Sequence, residues 1–162
     1  MIQDAFAYFS PPTWAAGVGY TYDGDDVTTN ADASTEFTDD VDLGARLDTF
    51  GASDSPDGGE TGRLWFNAVV VTSLTGTAGG ILAINLYDDS SALFDSPEAL
   101  LVSAGSFVRG TNSDAGAFLS VPLPGGVINR YLRAKAEATV QNITGGDVVC
   151  WIGPGPVQNP AR

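Results

Sequence analysis

Apolar and polar positions alternate most cleanly in the last third of the chain. Leu132, Ala134, Ala136, Ala138 and Val140 are apolar, while Tyr131, Arg133, Lys135, Glu137 and Thr139 are polar or amphipathic. A period of two over ten residues predicts a strand with one dry face and one wet face. A second apolar run, Val148–Ile152, follows the pair Gly145-Gly146. Glycine pairs commonly mark turns, so the two runs are expected to form a hairpin across Gln141–Gly146.

The same reading extends upstream to Arg63. Leu64–Thr72 is rich in β-branched and aromatic residues and predicts a strand, with Leu74–Gly80 as its turn region. Ile81–Tyr87 sets Leu82, Ile84 and Leu86 against Ala83, Asn85 and Tyr87, and Asp88-Asp89-Ser90-Ser91 reads as a loop. Phe107–Arg109 and Phe118–Leu123 are further strands, and Pro122 and Pro124 put the latter at an edge or an end. Ala99–Val102 reads as a strand or a single helical turn. The one helix candidate is Ser96–Leu101, with Ser96 as N-cap and Pro97 in the first helical position. Twenty glycines and nine prolines argue against long helices elsewhere. Seven or eight short strands separated by turns predict an all-β fold, an antiparallel β-sandwich or barrel, jelly roll included.

The first 60 residues follow no such pattern. Apolar residues are scattered among Asp, Gly, Ser, Thr and Pro, and Pro11-Pro12 breaks any early element. Short strands are expected near Gly17–Tyr22 and Val41–Leu43. The division this suggests is an N-terminal arm with loops over 1–38, a sandwich over 39–153 and a tail over 154–162. A chain of 162 residues is long enough to bury roughly 70% of its unfolded surface as one domain. Its lone cysteine, Cys150, sits in an apolar run and is expected to act as a small core hydrophobe.

Charge divides the chain as sharply as pattern does. Residues 1–60 hold 13 acidic side chains and one basic, and residues 61–162 hold seven and six, giving the net −13. Counterion release needs clustered Lys and Arg, so nucleic acid and anionic membrane are not expected as partners. Met1–Phe9 does not resemble a signal peptide, and no stretch approaches the ~20 apolar residues of a membrane span. The chain is therefore expected to be made soluble.

With no histidine present, Ser-His-Asp, Cys-His and His-metal arrangements are excluded. Paired carboxylates remain, in Asp23, Asp25, Asp26, Asp39, Asp40 and Asp42. A Ca²⁺ loop started at Asp23 places Val27 and Thr28 at positions five and six, and one started at Asp40 places Gly44 at position five, so both fail the template. These carboxylates are expected to be solvated loop charges, with no metal and no cofactor. The early aromatics Phe6, Tyr8, Phe9, Trp14, Tyr20 and Tyr22 are the candidate partner interface, because aromatic residues anchor protein interfaces. The competing expectation is that the arm folds back and these rings cap the protein's own sandwich.

From Asp40 to Ile152 the order of motifs resembles a known family. It begins with Asp40-Val41-Asp42-Leu43-Gly44-Ala45 and a Gly/Asp-rich loop. A strand of the form Leu82-x-Ile84-x-Leu86 then runs into Asp88-Asp89-Ser90. Val121-Pro122-Leu123-Pro124 leads to Arg130-Tyr131-Leu132-Arg133 and the alternating strand. This order is similar to that of the cement, or decoration, proteins of tailed-bacteriophage capsids, of the small jelly-roll type. The resemblance implies a non-enzymatic virion protein, made in the host cytoplasm, on the outer capsid surface. Its implied partners are the major capsid protein, which it bridges, and further copies of itself as a dimer or trimer. It implies no active site. Two other readings stand beside it: a carbohydrate-binding β-sandwich module, which needs two or three exposed aromatics, and an enzyme built on paired carboxylates.

Overall fold

A computed structural model of the chain describes residues 7–10, 13–15, 19–42, 64–94, 98–124 and 129–154. In chain order the strands are β1 (Ala7–Tyr8), β2 (Thr13–Ala15), β3 (Gly19–Thr21), β4 (Asp25–Asp26), β5 (Ala33–Glu36) and β6 (Val41–Asp42). They continue with β7 (Leu64–Gly76), β8 (Ile81–Asp89), β9 (Ala99–Val108), β10 (Phe118–Pro122), β11 (Tyr131–Thr139) and β12 (Ile143–Pro154). No helix occurs among the described residues. The fold is all-β, with two antiparallel sheets. One has the order β1-β12-β7-β10, with β4 also on β12; the other has the order β5-β11-β8-β9, with β6 also on β11.

The alternating segments behave as their pattern requires, except that Val140, expected on the dry face, lies beyond the end of β11 and is exposed. On β11, Leu132, Ala134, Ala136 and Ala138 are buried while the residues between them are half-exposed. On β8, Leu82, Ile84 and Leu86 are buried and lie in the same core. Phe66, Ala68 and Val70 from β7, and Val148, Cys150 and Ile152 from β12, close that core from the opposite sheet. The result is a sandwich whose inner faces are drawn from both halves of the pattern. Cys150 is one of its members, and burial pushes its thiol pKa up.

Several expectations need correction. The expected terminal hairpin does not form: β11 lies in one sheet and β12 in the other. The crossing between them is the short segment Val140–Asn142. Gly145 and Gly146 lie inside β12, at register shifts against β7. Gly146 has φ +125°, and a Cβ there would come within 2.8 Å of Leu74 Cα. The pair therefore serves a strand irregularity and a close backbone approach rather than a turn. Strand β7 runs on to Gly76, well into the expected turn region. The helix candidate fails where it is described, because Ala99–Leu101 belong to β9; Ser96 and Pro97 lie outside the described residues. Strand β10 ends at Pro122 and closes the edge of its sheet, as prolines there require.

The segment expected as an arm with loops contributes strands to both sheets. Residues 7–9 and 25–29 follow β12, through Tyr8 opposite Trp151, Phe9 N–H to Cys150 C=O, Asp25 opposite Val148 and the bridge between Thr29 and Ile143. The chain then turns through Asp32 and follows β11, with Glu36 opposite Lys135 and Val41 opposite Leu132. Hydrogen bonds lace the two edges together. Asp39 N–H donates to Phe9 C=O at 2.9 Å, and Asp25 accepts from the Ser10 hydroxyl at 2.8 Å and the Thr38 hydroxyl at 2.6 Å.

Candidate functional site

The first sheet carries a second apolar cluster on its outer face. Because side chains alternate along β7, Phe66, Ala68 and Val70 enter the core while Val69 and Val71 point away from it. Val149 and Trp151 on β12 do the same, in register with Val69 and Asn67. Tyr8 from β1 and Phe118 from β10 pack against them, with ring centroids 6.3 Å and 6.0 Å from that of Trp151. Asn67 sits buried on the same face, accepting from the Ser120 hydroxyl at 2.7 Å and donating to Trp65 C=O at 3.0 Å. Its amide is thereby satisfied within the sheet.

A cleft of about 280 Å³ opens beside this cluster, lined by Tyr8, Tyr22, Val69, Val70, Val71, Ala115, Gly116, Val149 and Trp151. Small-molecule pockets run to roughly 300–1,000 Å³, so this cleft suits one or two protruding side chains better than a large ligand. Tyr8 and Tyr22 form its aromatic wall, with ring centroids 5.7 Å apart. Burial, and then the hydrogen-bonding side chain of Tyr22, push the Tyr8 phenol pKa up. Tyr22 is 43% exposed, whereas Trp151 is 2% exposed. The cleft therefore offers apolar walls and phenolic groups, which suit binding.

The six candidate interface aromatics divide. Tyr8 and Tyr22 meet in the cleft. Phe9 is a core residue, fully buried and edge-on to Phe66 at 5.9 Å, so for this ring the fold-back reading applies. Trp14 and Tyr20 are cross-strand partners in the β2–β3 hairpin. Phe6 lies outside the described residues. Sequence reading missed Trp151, Val69 and Val149, since an apolar run does not reveal that alternate residues face away from the main core. Register against β7 was the missing information.

Among the candidate carboxylates, Asp25, Asp40 and Asp42 hold the edge strands. Arg133 on β11 makes a two-pronged ion pair with Asp40, at 2.8 and 2.7 Å, and also reaches Glu36. Arg130 does the same with Asp42, at 2.7 and 2.8 Å. Lys135 bridges Glu36 and Glu98, and the Tyr87 hydroxyl donates to Glu137. Asp26 accepts from its neighbour Thr28, and Asp23 accepts from Thr21. Among the described residues no group of three or more acidic or cysteine side chains could hold a metal ion. The Arg-Tyr-Leu-Arg motif is thus the cationic spine that fixes acidic residues 36–42 to the second sheet. No protein-family model matches the chain, and no curated protein matches it.

Proposed function

We propose that the protein is a non-enzymatic structural component of a phage head, a cement protein that binds the outer capsid surface and bridges major capsid proteins. The observation that carries the reading is how its surface is divided. Asp25, Glu36, Asp40 and Asp42 are tied into hydrogen bonds and ion pairs that hold residues 25–42 to both sheets. The uncharged stretch 5–22, by contrast, ends at an apolar cleft walled by Tyr8 and Tyr22. Depletion of charge and enrichment in aromatics characterise the centre of a protein–protein interface.

Strand order supports the jelly-roll part of the proposal. Counting β4, β5 and β7 to β12 as strands one to eight, one sheet runs 1-8-3-6 and the other 2-7-4-5. Consecutive strands cross between the sheets repeatedly, which is the interlocking of two Greek keys. A rigid double-sheet scaffold suits a load-bearing clip, and many weakly held copies on one lattice hold firmly together. The carbohydrate-binding alternative asks for several exposed aromatic faces, and the burial of Trp151 gives it less support. Heads assembled with and without the protein test the reading. It requires stoichiometric retention on purified heads and a lower rupture temperature when the protein is missing. Equal resistance to heat and low salt in both preparations would rule it out.

A further inference from the structure

On one side of the sandwich the sheets end in β1, β4, β5 and β6, and on the other in β9 and β10. Charge distinguishes these sides. Residues 23–42, which hold β4, β5 and β6, carry eight acidic side chains and no basic one. Strands β9 and β10 carry no charge. They approach each other where a Cβ on Gly105 would lie 3.5 Å from Leu119 Cδ2. Most of the described sandwich edges are also guarded against further pairing. Pro122 ends β10, acids stand on β4, β5 and β6, and β1 is two residues long.

Strand β9 differs. It is ten residues long, has no proline, and pairs only with β8 among the described strands. Its last residues are capped on the side away from β8: Asn112 accepts from Val108 N–H at 2.6 Å and donates to Ser106 C=O at 3.2 Å. Over Leu100–Ala104 no described residue caps that side, and Leu100 is 56% exposed. Register shifts against β8 bend the strand there, which keeps the open stretch short. Open backbone groups on a sheet edge are matched by another extended strand. Charge and symmetry decide whose. At net −13 two copies repel where their acidic sides meet, whereas the β9–β10 side lets them approach with the acids turned away. An antiparallel pair of identical strands also satisfies itself, each copy giving what it receives, so the contact closes at two. We infer that the chain forms a two-fold dimer in which Leu100–Ala104 of β9 pairs antiparallel with the same stretch of a second copy. The second sheet then runs on across the axis into its copy. This contact uses neither the shell nor the cleft on the first sheet, so it stands apart from the shell-binding reading.

Sedimentation velocity of the intact chain over a range of concentration reads the assembly, and amide hydrogen exchange locates it. A dimer is expected, with exchange at Leu100–Ala104 slowing about 10-fold or more as it forms. The double variant Leu100→Lys/Ser103→Lys places cations at two exposed positions of the edge. Lysine lowers the net negative charge, so weaker association would come from the edge and not from overall repulsion. The variant should keep the urea midpoint of the intact chain where both are monomeric, and dimerise about 100-fold more weakly. A chain that stays monomeric up to about 1 mM, or that forms a trimer, would overturn the inference. So would a dimer whose protection lies away from β9, or a folded variant that dimerises as tightly as the intact chain. If the variant unfolds, the exchange pattern of the intact chain still decides.

Discussion

Replacing Phe9 with alanine asks whether the N-terminal segment belongs to the folding unit. Its ring is fully buried, edge-on to Phe66, in the core shared by both sheets. Its backbone is engaged on both sides, donating to Cys150 and accepting from Asp39. Removing a buried phenylalanine ring costs about 3–5 kcal/mol through lost burial and the cavity left behind. The edge-to-face contact is included in that figure, at about 0.5–1.5 kcal/mol. A domain with a total stability of about 5–15 kcal/mol would lose a fifth or more of it. With a urea m-value near 2 kcal/mol/M, the midpoint should fall by about 1.5–2.5 M. Tyr22→Ala is the control: its ring is largely outside the core and should cost about 1 kcal/mol or less. Urea unfolding followed by tryptophan fluorescence and circular dichroism reads both variants. A loss under about 1 kcal/mol for Phe9→Ala would refute the placement of residues 7–10 in the sandwich.

Other consequences are as direct. Val140 has φ 74° and lies in a three-residue turn closed by Gln141 N–H to Thr139 C=O at 2.8 Å, a strained conformation for a β-branched residue. Its side chain is exposed, so Val140→Gly should raise stability by about 0.5–1 kcal/mol, strain relief exceeding the added chain entropy; a loss in urea midpoint would contradict this. Burial, and then the hydrogen bond to Glu137, push the Tyr87 pKa up to about 12 from 10.0. Because the folded value is raised, the stabilisation is whole below pH 10 and is lost as pH rises through about 12. Absorbance at 295 nm, compared with Tyr87→Phe, should show that late titration, and Glu137→Gln should move it down; a Tyr87 midpoint near 10 would refute the bond. A double-mutant cycle of Arg133→Met and Asp40→Asn should give a coupling of about 1 kcal/mol that shrinks in 1 M salt. A salt-independent coupling near zero would remove the ion pair from the account.

What could be read from the sequence was whatever depended on local period. Leu132 to Ala138 on β11 and Leu82 to Leu86 on β8 announced both their strands and their buried faces, because a half-wet strand must alternate. Connectivity was less legible. Gly145-Gly146 has the chemistry of a turn, and only the nearness of Leu74 reveals that glycine is needed there for close packing. The N-terminal strands were hidden for another reason. Strands of two to four residues carry too few alternations to register, and the edge along β12 is split between β1 and β4. The pairing of Asp40 with Arg133 and of Asp42 with Arg130 spans about ninety residues, so no local pattern could have shown those carboxylates to be structural. Among the aromatics, residue type alone could not separate Phe9, which fills the core, from Tyr8 beside it, which faces the cleft.

The proposal stands or falls on adhesion to an assembled protein lattice. The direct measurement is co-sedimentation of the intact chain with expanded heads and with precursor shells, over a range of protein concentration. Saturable, stoichiometric binding to expanded heads, with little on precursor shells, is the predicted result. No retention on either, at concentrations well above those of the virion, would contradict the account.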